Sequence, residues 1–246
     1  VSPEQRPQAE VEATRGSRAA QLALVVAAVT ASVTAASYAA PEAYATTVVA
    51  AVFLGAAHLL ILRKDALTIR AHGLSLGGLL EPERIDTARL AKAAVRAVLV
   101  ALVAFAVIAV PFWFGYREYN QPSRPFSWRA AAPDLEEVLG QVFVIALPEE
   151  AFYRGYVQTR MDALFPRRFS IATLPIGASI VLTSALFAVC HLLTIPNPAR
   201  LAVFFPSLLF GALRAREGGI GAAVLFHASC NLLTAALARG YSGSVP

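Results

Sequence analysis

Ala97-Val-Leu-Val-Ala-Leu-Val-Ala-Phe-Ala-Val-Ile-Ala-Val-Pro-Phe-Trp-Phe-Gly-Tyr116 runs for twenty residues without a charge. A helix needs about 20 such residues to cross the hydrocarbon of a bilayer, so 93–116 reads as a membrane span. Working outward on the same criterion, further apolar stretches fall at 19–40, 43–62, 135–159, 171–193 and 218–238. A seventh, 200–214, is short and contains Pro206. The expectation is an all-α, polytopic transmembrane helical bundle of about seven spans. Composition agrees: 57% of residues are hydrophobic and 15% charged, where a soluble domain carries about 25% charged. A soluble globular protein is excluded.

One integral membrane domain, 19–240, is expected. Residues 1–18 are polar, hold Pro3 and Pro7, and read as a disordered cytoplasmic tail. The first apolar stretch follows Arg15 and Arg18 as a signal peptide would, but it exceeds the length of a signal core, which favours a retained span.

The net charge of +5 comes from short basic clusters between spans, without the aromatic interleaving of a nucleic-acid surface; no nucleic-acid partner is expected. With the N-terminus inside, the inner segments hold fourteen basic residues: Arg6, Arg15, Arg18, Arg63, Lys64, Arg70, Arg84, Arg89, Lys92, Arg160, Arg167, Arg168, Arg214 and Arg216. The outer ones hold five: Arg117, Arg124, Arg129, Arg200 and Arg239. Because cytoplasmic loops are enriched in Lys and Arg, that imbalance predicts N-terminus in and C-terminus out. Arginine outnumbers lysine 19 to 2, a bias that hints at a bacterial cell membrane. In the long inner loop, Asp86 reads as the N-cap of the third span. The outer loop 117–134, with Pro122, Pro125, Trp128 and Pro133, reads as an aromatic belt or a lid. Cys190 and Cys230 lie in apolar segments without CxxC spacing, which implies neither a disulfide framework nor a thiolate zinc site.

Charges inside spans cost about 2.5 to 3.5 kcal/mol each and so ask for a reason. Only Glu149 and Glu150 among the acidic residues lie deep in an apolar segment, Val142-Phe-Val-Ile-Ala-Leu-Pro-Glu-Glu-Ala-Phe-Tyr-Arg154. On a helix Glu150 and Arg154 share a face at i,i+4, acid before base, and neutralise each other. Glu149 points about 100° away and has no local partner. Pro148 should kink the helix and free the carbonyl of Val144. The residues read either as a buried polar clamp between helices or as a reactive carboxylate with a supporting ion pair.

Two of the four histidines fall in late spans. Phe187 and His191 are four residues apart, as are His227 and Asn231, so each pair occupies one helical face. A carboxylate, two imidazoles and an amide on three spans can serve peptide hydrolysis by water. Glu149 and a histidine would hold and deprotonate the water, and His227 and Asn231 would donate to the oxyanion. His58 and His72 read as structural or solvated. A thiol nucleophile is disfavoured, because Cys190 and Cys230 project away from the key positions.

The motifs Glu149-Glu150-x-x-x-Arg154, Phe187-x-x-x-His191 and His227-x-x-x-Asn231 occur in the order seen in the CAAX-protease and bacteriocin-processing family of intramembrane proteases. The chain resembles that family over about 135–238, including its type II CAAX prenyl endopeptidases and its myxosortase-like bacterial members. The resemblance implies that Glu149 and His191 activate water, that His227 and Asn231 stabilise the oxyanion, that Glu150 and Arg154 support the site, and that Phe187 packs within it. It implies a membrane-anchored protein or peptide substrate in the lipid bilayer, cut in a C-terminal prenylated or sorting segment. Metal-free glutamate catalysis, with no cofactor, is the expectation. Zinc held by Glu149, His191 and His227 is the alternative, although no HExxH helix is present. A proton-relay transporter and a peptide-binding scaffold are the non-enzymatic readings.

Overall fold

The computed structural model describes residues 5–166, 168–171 and 173–242. Residues 1–4 of the expected tail and Arg167 of the inner basic set lie outside the described residues. The helices are α1 (Gln5–Ala39), α2 (Glu42–Ala57), α3 (Ala66–Ala71), α4 (Thr87–Asn120), α5 (Trp128–Ala131), α6 (Leu135–Leu139), α7 (Leu147–Glu150), α8 (Gln158–Leu164), α9 (Ala178–Thr194), α10 (Phe204–Glu217) and α11 (Gly221–Ser242). Among the described residues, five helical segments are long and apolar enough to cross a membrane: Arg15–Ala39, Glu42–Leu62, Thr87–Asn120, Pro198–Glu217 and Gly221–Ser242. The fold is an all-α, polytopic helical bundle.

The other two expected spans take shorter or interrupted forms. A helical run from Leu135 to Leu164 is broken by π-helical turns and carries the buried charges, while α9 has 17 residues. Ile171 and residues 174–177 do not begin a helix as expected. They belong to an antiparallel pair of β1 (Arg168–Ile171) and β2 (Leu174–Gly177), where Pro175 and Gly177 oppose a helix and Ile171 and Ile176 favour a strand. The span expected at 200–214 is longer, because a 3₁₀ turn, Pro198–Val203, feeds α10. Pro206 sits in the first turn of α10, where a missing N–H costs no helical bond. From Gln5 on, the polar segment expected as a disordered tail continues α1; its Ala, Glu, Gln and Arg are good helix formers. Asp86 caps α4 as read, accepting from the backbone of Ala88 and Arg89 at 2.9 and 3.1 Å.

Cross-helix bonds sort the helix ends into two groups. At one end Arg15 donates to the carbonyl of Leu164 (2.6 Å), Arg214 to that of Ala71 (3.1 Å), and Arg96 pairs with Glu217 (2.5 Å). At the other, Tyr38 donates to Leu193 (3.1 Å), and Arg239 grips Glu137 (2.8 and 2.9 Å). Successive long segments therefore alternate in direction between two ends. Arg96, inside the stretch 93–116 read as a span, lies within reach of the C-terminus of α10.

The loop at the first end is pinned by Glu81, buried among Arg70 (2.5 Å), Arg89 (2.7 Å) and Ser75. The hydrogen bonds from Arg70 and Arg89 hold its carboxyl well below the usual carboxylate range. At the second end the 117–134 loop is tied down. Phe126 packs on Trp113, Trp128 and Tyr241, and Ser127 donates its N–H to the carbonyl of Gly240 (2.8 Å). A Cβ on Gly240 would come within 2.2 Å of the Phe126 ring, so only glycine admits this contact.

Candidate active site

Pro148 cannot donate to the helical ladder, and the chain accommodates it between π-helical turns. π-helical turns at Gly140–Ala146 and Ala151–Val157 flank α7, with the Leu147 N–H reaching the carbonyl of Val142. Helical dihedrals persist from Ala146 to Ala151. Wide turns of this kind rotate side chains relative to an α-helix and recur at functional sites.

Glu150 and Arg154 form the expected pair. Nε and Oε2 are 3.1 Å apart, and both side chains are fully buried. The approach lacks hydrogen-bond alignment, since Arg154 Nε and Glu150 Oε2 have no bonding partner, so it is an ion pair by proximity. Arg154 Nη2 donates to Ser207 Oγ at 2.9 Å, and its guanidinium lies over the rings of Phe187 (5.0 Å) and Phe210 (5.5 Å). Glu150 Oε1 also faces His227 Nδ1 at 3.1 Å.

Glu149 points away from this pair, as read. Its Oε2 stands 3.9 Å from His191 Nε2 and 3.8 Å from His227 Nε2, buried and without a hydrogen-bond partner. The other ring nitrogens fix the protons. His191 Nδ1 faces the carbonyl of Phe187 (3.0 Å), and His227 Nδ1 faces the Glu150 carboxylate. A carbonyl or carboxylate only accepts, so each Nδ1 carries hydrogen, and in a neutral ring each Nε2 turned to Glu149 is bare. Three acceptors converging beyond direct hydrogen-bond distance are suited to sharing a proton-bearing group or a cation.

These atoms lie on the wall of a cavity of about 1110 Å³, lined by Glu149, His191, His227, Asn231, Cys190 and Cys230 among mostly apolar side chains of α1, α2, α4, α9, α10 and α11. Both cysteines thus border the cavity although they were read as projecting away from the key positions; both are free thiols. Phe187 packs against both imidazoles, with ring centroids 4.3 Å from His191 and 5.8 Å from His227. Asn231 Nδ2 donates to Gln141 Oε1 at 3.0 Å, which uses one of its two N–H bonds. His72 is structural, bonded to the Thr68 carbonyl (2.8 Å) and stacked near Tyr156, and His58 is exposed.

Sequence reasoning missed Gln141, Ser207 and Phe210. Gln141 and Ser207 are isolated polar residues in apolar runs, the same signal that exposed Glu149. Phe210, stacked on His227 at 4.6 Å, carries no such signal.

A family model described as type II CAAX prenyl endopeptidase Rce1-like matches residues 131–233. Over that segment the chain is similar to that family. No curated protein and no solved structure matches the chain. The Rce1-like segment runs from α5 into α11 and includes Gln141, Glu149, Glu150, Arg154, Phe187, His191, His227 and Asn231. The family is one of CAAX-type proteases, and the long apolar helices make this an integral membrane protein. Among the described residues, no group of three or more His, Cys, Asp and Glu side chains is gathered closely enough, as they stand, to hold a metal ion.

Proposed function

We propose that the chain is an intramembrane glutamic endopeptidase that hydrolyses a peptide bond near the C-terminus of a membrane-anchored protein, in a prenylated or sorting segment. The observation that carries this reading is the convergence of Glu149 Oε2 with two imidazole nitrogens at 3.8 and 3.9 Å on the wall of a large apolar cavity. A water held by Glu149 and His191 attacks the carbonyl carbon and gives its proton to Glu149. The oxyanion is met by the free N–H of Asn231 and by His227. His227 would donate there from Nε2 as an imidazolium, with its Nδ1 turned to the Glu150 carboxylate at 3.1 Å. Glu149 then returns the proton to the leaving nitrogen as the C–N bond breaks. Arg154 holds Glu150 in place from behind.

One observation favours a zinc variant. A carboxylate behind His227 and a carbonyl behind His191 are the partners that orient metal-binding histidines. Glu149, His191 and His227 would then hold the ion, which would polarise the substrate carbonyl. Activity at an unchanged rate after exhaustive chelation supports the metal-free reading; loss on chelation with rescue by zinc replaces it.

The cavity reaches the helix ends marked by Ser37, Ala45, Thr194 and Arg200. With the N-terminus cytoplasmic, as the basic residues favour, substrate enters from the outer half of a bacterial cell membrane; a C-terminal reporter found in the cytoplasm contradicts that orientation. The protease reading is tested by presenting reconstituted protein with a library of membrane-anchored peptides. Wild type should cut, and Glu149→Ala and His191→Ala should not. Equal cutting by all three refutes it, and a transporter or scaffold would show no cutting at all.

A further inference from the structure

Apart from the histidines, two charged side chains line the cavity: Glu149 and Arg200. Glu149 belongs to the site described above. Arg200 has no role there, and its chemistry is opposite. Its Nε is buried without a hydrogen-bond partner, and no carboxylate among the described residues pairs with it. A guanidinium held beside mostly apolar walls calls for an anion to complete it.

The backbone presents Arg200 in a fixed pose. Pro196 and Pro198 restrict the approach from α9, and Asn197 caps the 3₁₀ turn Pro198–Val203, accepting from the Ala199 N–H at 3.0 Å through its side chain and from the Arg200 N–H at 2.9 Å through its carbonyl. Arginine's planar fork matches a carboxylate with two parallel hydrogen bonds, which the compact ammonium of lysine cannot reproduce.

The geometry points to Arg200 as a specificity-determining residue that binds a carboxylate of the peptide occupying the cavity. This rests on reading the cavity as a peptide site. An apolar chain laid along the walls would be fixed at one point by Arg200 and cut at another by Glu149, so that the scissile bond is chosen by its distance from the anion. The carboxylate can be the free end of the chain or an acidic side chain. A lipid phosphate is the competing occupant; it is disfavoured because Arg200 shares its cavity with Glu149 and His191.

The test uses full-length protein in nanodiscs of neutral lipid, in a Glu149→Gln background so that nothing is cut. The probes are three fluorescent apolar hexapeptides: one with a free C-terminal carboxylate, its C-terminal amide, and an amide with glutamate as its last residue. A charge-assisted bidentate pair predicts that one or both carboxylate peptides bind about 10- to 100-fold tighter than the plain amide. Which of the two does so identifies the source of the carboxylate. Arg200→Gln should abolish that ratio while binding the plain amide as before. If that variant does not fold, Arg200→Lys serves instead and should reduce the ratio. Equal binding of all three peptides, no binding of any, or a ratio unchanged in the variants overturns the proposal. So does loss of the ratio when anionic lipid is added to the discs, which would assign Arg200 to phosphate. Failure of the wild-type protein to cut, with the ratio intact, would instead refute the protease reading alone.

Discussion

Arg154→Met removes one half of a fully buried ion pair while leaving a side chain of comparable length. Stripping one partner from such a pair costs about 3 to 5 kcal/mol, mostly because the other charge is stranded. Glu150 is not wholly stranded here, since His227 Nδ1 remains 3.1 Å away, which argues for the lower end. The guanidinium's contacts with Phe187 and Phe210 add about 0.5 to 2 kcal/mol. A net loss of about 3.5 to 5 kcal/mol is expected. At about 2 to 4 °C per kcal/mol for a chain of this size, Tm falls by about 7 to 20 °C. Tryptophan fluorescence on heating in detergent micelles reads it through Trp113 and Trp128. Glu150→Gln combined with Arg154→Met removes both charges and keeps an acceptor for His227, so the double variant should lose less than the sum of the singles, by about 1 kcal/mol or more. A single-variant loss under about 1 kcal/mol, or strict additivity, would show that the buried pair does not hold α7 and its flanking turns as described.

Three further outcomes are expected. Asn231→Ala should lower kcat about 10²- to 10³-fold with little change in KM, as removal of an oxyanion donor does; a change confined to KM would place Asn231 in substrate binding. Replacing Cys190 and Cys230 together by Ala should leave the cleavage rate within a factor of a few, and complete loss would restore a thiol mechanism. The depressed Glu81 carboxyl ties the 63–92 loop to acid sensitivity: its contribution is complete above the unfolded carboxylate value of about 4.3 and is lost as pH falls below it toward the lower folded value. Thermal stability should drop below about pH 4 in wild type and less steeply in Glu81→Gln. Parallel pH curves for the two would contradict the clamp.

The apolar runs made the bundle legible because a span is a property of composition over about 20 residues. They failed where backbone chemistry overrides hydropathy, as at Pro175 and Gly177, whose β-hairpin occupies part of an apolar run. At 5–18, polarity was read as disorder although the residues are helix formers. The site was legible through scarcity: Glu149, Glu150 and Arg154 stand out because charge inside a span needs a reason, and the separation of Glu149 from the pair follows from helix geometry alone. Pro148 marked a perturbation without saying which kind, since a kink and a π turn both dispose of the missing N–H. The partnership of His227 with Glu150 was out of reach, because it depends on how α11 packs against α7 across 77 residues of chain. Phe210 was hidden for the same reason.

In the proposed mechanism Glu149 takes the proton from the attacking water. The most direct measurement is single-turnover cleavage of a reconstituted membrane-anchored substrate by wild type and Glu149→Gln, with substrate affinity measured alongside. A general base contributes about 10²- to 10⁴-fold, so the chemical step should slow by at least about 100-fold at nearly unchanged affinity. A rate within tenfold of wild type, in protein that still binds substrate, would remove Glu149 from the chemistry and leave it a buried polar clamp.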